Sequence, residues 1–525
     1  MEVAATPSTP GLLDRARIVA APGFNRWLVP PAALAIHLCI GMAYGFSVFW
    51  LPLSRALGVT QPVACPDLTL GQALFTTTCD WRVADLGWMY TLFFVFLGSS
   101  AALWGGWLER AGPRKAGVVS AVCWCGGIVI AAVGVILHQL WIMWLGGGVI
   151  GGIGLGLGYI SPVSTLVKWF PDRRGMATGM AIMGFGGGAM IGAPLANLLM
   201  TYFRTPASVG VWETFIVLAA VYFVFMMSGA FAYRVPPPDF AKAASPRAPV
   251  TVSSVHYRDA PKTKQFWLIW AVLCLNVSAG IGVIGMASPM LQEIFGASAA
   301  VAAGFTGLIS LFNIGGRFFW ASLSDRIGRK ATYATFFLLG IVLYAGAPTL
   351  ARSGSQAAFV LAVCVIVSMY GGGFATIPAY LADTFGTQFV GAIHGRLLTA
   401  WSTAGIIGPV LVNYIREAQI AAGVPRQQVY DFTMYILAGL LVLGFVANAL
   451  VTPLAARWFA GSGEQFPNPT SQAPSPNSRV VGSWNVGFGF WDFRAAAAWT
   501  AVGVPLAWGT WVTVTQAFVL FSGGR

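Results

Sequence analysis

The sequence predicts an all-α, polytopic membrane protein, and three observations carry that expectation. Of 525 residues, 57% are hydrophobic and only 9% are charged, with a mean hydropathy of +0.72; an ordinary soluble domain has about a quarter of its residues charged. Twelve uncharged or nearly uncharged stretches are long enough to cross a bilayer as helices, and they fall into two groups of six. A charged turn also recurs between the groups at a fixed spacing.

The first group reads 28–51, 84–108, 116–137, 139–165, 174–198 and 211–233, with the division inside 116–165 resting on the His138–Gln139 step. The second reads 266–290, 300–323, 332–351, 355–380, 390–413 and 429–455. Residues 1–27 hold neither a compact apolar core nor a processing site and read as a tail, not a cleaved signal. The domains are then an N-terminal bundle, 28–233, a central loop, 234–265, that opens on three prolines, and a C-terminal bundle, 266–455. A Pro-, Ser- and Asn-rich linker, 456–494, leads to a thirteenth apolar run, 495–521, with no charged residue. That run is expected to span, or to dock on a membrane protein partner.

Lys and Arg set the orientation. With the N-terminus inside, the inner segments of the twelve-helix core hold eighteen of them; the outer segments hold only Arg55, Arg82, Arg204, Arg352, Arg416 and Arg426. The expectation is a multi-pass protein of the plasma membrane, a bacterial inner membrane, with a cytoplasmic N-terminus. The net charge of +13 then reflects orientation and contact with the lipid bilayer, with no nucleic acid as partner. The seven cysteines follow no metal-ligand spacing. Cys65 and Cys79 share the first outer loop, where a disulfide and two free thiols both stay open. Glycine-rich stretches at 146–158 and 184–194 serve close helix packing. No phosphate-cradling loop, HExxH motif or nucleophile–base set is present, so neither an enzyme nor a cofactor or metal is expected.

The turn GGWLERAGPRK (105–115) recurs as ASLSDRIGRK (321–330), and Glu109–Arg110 matches Asp325–Arg326 at an offset of 216. The same offset joins Pro162 to Pro378, Gly175 to Gly391 and Asn197 to Asn413, so a duplication is inferred. Two similar halves can rock about a site near the midplane. The repeated acidic–Arg turns are assigned to gating: a carboxylate there can pair with arginines or with a helix N-terminus and lock one face.

The doubled turn, the six-plus-six spans and the long central loop resemble the major facilitator superfamily over residues 28–455. Within that range FNIGGRFFW (312–320) and DTFGTQFVGAIHGRLLTAWSTAGIIGP (383–409) are similar to the oxalate/formate antiporter family and, more distantly, to monocarboxylate transporters. The resemblance implies carriage of small carboxylate anions, with the arginine of the eighth helix, Arg317, contacting the carboxylate. It also marks a departure: where the oxalate carriers have lysine, this chain has Trp401.

The residues support a similar reading. Arg317 lies about 12 Å along its helix from Asp325, close enough to snorkel to the inner surface; otherwise a cation in hydrocarbon needs a cavity or a partner. A guanidinium fork suits a planar carboxylate, and Arg317 is expected to open onto a solvated chamber. Tyr370 and Phe374 are four apart and share a helix face, as pocket walls or as packing. Tyr159 offers a hydroxyl from the other half. His394 and Trp401 are seven apart on a helix taken to begin near 390, and Arg396 faces the chamber, the inner vestibule or a headgroup. With one central cation, a monocarboxylate such as formate or lactate is expected, an oxalate/formate antiporter being the alternative. A non-transporting receptor or accessory protein on the same fold is a further alternative. No Asp or Glu falls well inside a span, which favours exchange or uniport, though His37, His394 or the substrate could carry a proton.

Overall fold

The computed structural model describes residues 11–521 except residue 22 and segments 66–67, 171–173, 238–239, 241–253, 387–388 and 459–492. Among the described residues twelve helices are long and apolar enough to cross a membrane. The first six are α1 (Arg26–Leu53), α2 (Val83–Gly105), α3 (Pro113–Ile136), α4 (Leu140–Leu166), α5 (Ile182–Phe203) and α6 (Val211–Ala232). The last six are α7 (Lys264–Gly285), α8 (Ala299–Ile327), α9 (Arg329–Arg352), α10 (Gln356–Phe385), α11 (Ile393–Ala421) and α12 (Arg426–Ala449). Most of the 456–494 linker and the middle of the central loop lie outside the described residues.

The repeated turn is visible in the backbone. Helix α2 runs on to Gly112 and α8 to Gly328, and these glycines have φ of 88° and 87°. Side chains rarely adopt that conformation, so glycine both stops the helix and reverses the chain. The next helix starts at once, and its second residue, basic in both copies, is tied down the same way. Arg114 donates to the carbonyl oxygen of Phe231, at the end of α6 (2.9 Å). Lys330, 216 residues later, donates to those of Ala449 and Val451, at the end of α12 (both 2.8 Å). A cation on exposed C-terminal carbonyls is favoured by both the hydrogen bond and the helix dipole. Pro162 and Pro378 also both lie inside helices.

The stretch 266–290, expected as one span, is broken at Met286 into α7 and a short helix, Ala287–Phe295. Pro289 has no N–H to give the carbonyl four residues back, that of Gly285. The indole N–H of Trp50 donates to that oxygen instead, at 2.8 Å, and so ties α1 to α7.

The first six helices meet the last six chiefly where α2 packs on α11 and α5 on α8. Ser310 donates to the Gly186 carbonyl oxygen across the α5–α8 seam, and Ser402 to that of Val95 (3.2 Å) across α2–α11. On the face opposite the N-terminus, Cys65 and Cys79 form a disulfide, with Cα atoms 5.0 Å apart. The loop they close is further ordered by Asp80, which accepts from the N–H groups of Leu57 (2.8 Å), Gly58 (3.2 Å) and Val63 (2.8 Å).

The run 495–521 forms α13 (Phe493–Phe518), but this helix is not among the twelve of span-like hydropathy. Thr500, Thr510, Thr513, Thr515 and Gln516 lower its apolar character. It packs along the α5–α8 seam. Near its start Trp499 donates to the Trp27 carbonyl oxygen (3.1 Å), and near its end Thr513 donates to that of Met190 (3.1 Å).

Candidate functional site

Helix α1 crosses α5 at two glycines: a Cβ on Gly188 would fall 2.3 Å from the Gly41 carbonyl carbon, and one on Gly41 2.5 Å from the Phe185 oxygen. From Gly41 to Phe49, α1 tightens to 3-10 pitch, and Tyr44 turns inward. Its ring meets Phe185 edge-on at 4.9 Å. Its hydroxyl is 2.8 Å from that of Tyr370 on α10, a hydrogen bond joining the two halves.

Around this bond lies a shell of aromatic rings drawn from both halves. Trp401 on α11 touches Phe374 (4.4 Å), Tyr159 (5.2 Å), Phe185 (5.7 Å) and Phe94 (5.7 Å). Phe374 also packs on Tyr370, four residues earlier, at 5.3 Å. Such edge and tilted contacts are worth about 0.5–1.5 kcal/mol each beyond buried area.

Arg317 enters this shell from α8. Its guanidinium carbon lies 5.8 Å from the Phe374 ring centre, and its charge acts on the hydroxyls of Tyr44, Tyr159 and Tyr370. The side chain is 3% exposed, so it does not snorkel, and the expected open chamber is replaced by an enclosed site. The enclosure follows from bulk: the aromatic rings fill the space where two halves meet. Nε donates to Asn313 Oδ1 at 3.0 Å, while Nη1 is buried without a hydrogen-bond partner. Among the described residues Arg317 has no ion pair. The Trp401 indole N–H is likewise buried and unpartnered. Two buried donors without partners, Arg317 Nη1 and Trp401 Nε1, thus belong to side chains that both pack on Phe374.

The expected site residues separate into two sets. Arg317, Trp401, Tyr370, Phe374 and Tyr159 come together. Arg396 does not: it lies over the Tyr257 ring, at 4.6 Å, beside the central loop. His394 makes no ring contact among the described residues, and its Nε2 is buried without a partner. The helix expected from 390 loosens at Leu398, between Val390–Leu397 and Thr399–Ala421, but Leu398 keeps right-handed helical dihedrals and the chain runs on as α11. Three ring residues of the shell, Tyr44, Phe94 and Phe185, and the orienting Asn313 were not foreseen. Asn313 had a signal, since it precedes Arg317 by four residues on one helix face. The aromatic three had none, being ordinary apolar-span residues by sequence.

Of the gating candidates, Asp325 pairs with Arg329, which also reaches Asp383 at 3.4 Å. Arg110 and Arg326 are exposed, and the Glu109 side chain lies outside the described residues. Besides Asp80, two carboxylates on the face opposite the N-terminus have buried side chains. Asp85 is held by Arg82 at 2.8 Å. Glu293 is held by Arg416, Arg426 and Tyr430; burial alone would raise its pKa, but Arg416 foremost among these partners keeps it below the usual range.

Residues 33–409 match the Major Facilitator Superfamily family profile. The chain belongs to the Major Facilitator Superfamily. It is accordingly a multi-pass membrane transport protein. Among curated proteins it is 26% identical to the oxalate:formate antiporter of Oxalobacter formigenes, over 73% of this chain and 83% of that one. It is 25% identical to apicoplast pyruvate carrier 1 of Toxoplasma gondii, over 69% and 78%. Among solved structures a bacterial homologue of the human lysosomal transporter Spinster, inward-facing and unoccupied, matches with TM-score 0.59 at 16% identity, over 81% of this chain and 96% of that one. A D-xylose–proton symporter matches with TM-score 0.59 at 15% identity, over 81% and 98%. The last two likenesses concern the fold.

Proposed function

We propose that this transporter carries small organic anions, monocarboxylates such as formate or lactate, by alternating access between two six-helix halves, and that it works by exchange. One observation carries the reading: Arg317 is a buried cation with a free donor and no counter-ion among the described residues, enclosed by rings from both halves. A lone charge in a dry interior costs several kcal/mol, and a bound carboxylate would offset that by paired, charge-assisted hydrogen bonds. The names of similar proteins, which include carriers of oxalate, formate and pyruvate, agree with this cargo class. An oxalate/formate antiporter needs a second cation for the second carboxylate; Trp401 cannot supply one, and Arg396 is set on Tyr257. Exchange follows if the empty site is too costly to reorient.

In this reading the N-terminus is cytoplasmic, and the turns at Glu109–Arg110 and Asp325–Arg326 gate that face with help from Arg329 and Asp383. Helix α13 crosses the bilayer beside the α5–α8 seam, with Thr510 and Thr513 turned to Met190 and the exposed Thr500 and Thr515 bonding back to carbonyl oxygens of their own helix.

The test is uptake of labelled formate, lactate and oxalate into liposomes holding the purified protein, with and without internal counter-anion. Arg317→Gln is expected to abolish uptake while leaving the protein monodisperse. Equal transport by that variant, or no competition by any small organic acid, would remove the carboxylate reading. Net efflux that ignores the external counter-anion would remove obligatory exchange.

A further inference from the structure

We propose that the face opposite the N-terminus carries an anion-gathering antechamber above the central site. Six arginines of the twelve-helix core belong to that face, and five of them, Arg55, Arg82, Arg204, Arg416 and Arg426, line one cavity of about 740 Å³. Membrane orientation explains why this face has few cations. It gives no reason for nearly all of them to surround one mouth.

The carboxylates nearby are already committed. Asp85 holds Arg82. Glu293 and Glu417, which line the cavity, hold Arg416, and Glu293 also holds Arg426. Arg55 and Arg204 are exposed and have no ion-pair partner among the described residues. The cavity therefore keeps an excess of positive charge between low-dielectric walls, a geometry that focuses the field and concentrates small counter-ions. Its lining includes the buried Val48 and Ser288, and the Ser288 N–H donates to Ser47 Oγ at 3.4 Å. Val48 is four residues from Tyr44, about 8 Å at 3-10 rise, so anions collected here wait directly over the aromatic shell. Small carboxylates are the ligand class. Only their identity as cargo rests on the reading of Arg317 above; the field itself does not.

The test uses the full chain in liposomes with Thr201→Cys as reporter, since Thr201 is exposed, lines the cavity and lies one turn from Arg204. Labelling rates by an anionic and a cationic methanethiosulfonate of similar size are compared before and after Arg55→Gln with Arg204→Gln. The anionic-to-cationic ratio is expected to fall at least about three-fold, and the difference to vanish near about 1 M KCl, where screening acts within about 3 Å. Arg352→Gln, which removes the one arginine of the twelve-helix core on this face that lies outside the cavity, leaves the ratio unchanged. A ratio indifferent to the double substitution, or lowered equally by Arg352→Gln, overturns the proposal. In formate uptake the double variant is expected to raise KM from the cavity side alone; an equal rise from both sides overturns the antechamber. If the labelling ratio shifts while no carboxylate is carried, the antechamber stands and the cargo reading falls.

Discussion

Tyr44 and Tyr370 join the halves through one hydrogen bond beside Arg317, and a neutral bond of this kind is worth about 1 kcal/mol. Tyr44→Phe should therefore weaken formate binding by about five-fold, read as KM in counterflow, with little loss of maximal rate; an unchanged KM would remove Tyr44 from the site. Trp401→Lys tests the second half of the shell. It supplies the cation a dicarboxylate lacks here, and charge-assisted bonds contribute about 1.5–3 kcal/mol. Oxalate uptake should rise at least about ten-fold relative to formate, and a ratio that stays put would show that ring shape, not charge count, selects the cargo. At this scale the sequence was legible where chemistry is rare. A lone arginine in an apolar span stands out, whereas Phe94 and Phe185 look like any of the 36 phenylalanines until helix crossings choose which of them face inward.

At the scale of elements, pattern fixes existence better than continuity. Twelve apolar runs announced twelve helices, yet the break at Met286 depended on a tertiary exchange, the Trp50 indole taking the carbonyl that Pro289 cannot use. The loosening at Leu398 had no local signal at all. The loop that packs on the α3–α4 hairpin carries a pH-dependent contact. His138 stacks on Trp81 at 4.0 Å, and its Nε2 is 2.8 Å from the Cys79 carbonyl oxygen. Burial lowers its pKa from the usual 6.5, against smaller raising effects of that hydrogen bond and of Asp80. The unfolded loop then takes up the proton first, so stability is complete above pH 6.5 and falls as pH drops below it. Hydrogen exchange in residues 74–82 should quicken below that point, and His138→Gln should flatten the dependence. An exchange rate independent of pH-corrected chemistry in both proteins would contradict this.

For the whole molecule, the duplication was readable because its anchors are the residues a turn cannot do without. Gly112 and Gly328 hold the same backbone conformation, and Arg114 and Lys330 grip equivalent helix ends. Gate pairing was less readable: Asp325 chose Arg329 over the adjacent Arg326, a choice set by the direction of the helix after the turn. The Asp325 side chain is 68% exposed, so the pair contributes under about 1 kcal/mol. Asp325→Asn should shift the balance between inward- and outward-facing forms by no more than about five-fold, with thermal stability unchanged. Cysteine accessibility from each side measures that shift, and a large loss of melting temperature would mark the pair as structural instead.

Helix α13 adds something that two rocking halves lack by themselves. Thr513 donates to Met190 on α5, while a Cβ on Gly307 of α8 would press within 2.2 Å of its hydroxyl. One residue thus leans on both sides of the seam between the two halves. If the seam opens during transport, that grip is surrendered and regained each time, and α13 is then expected to act as a brake covalently attached to the parts it restrains.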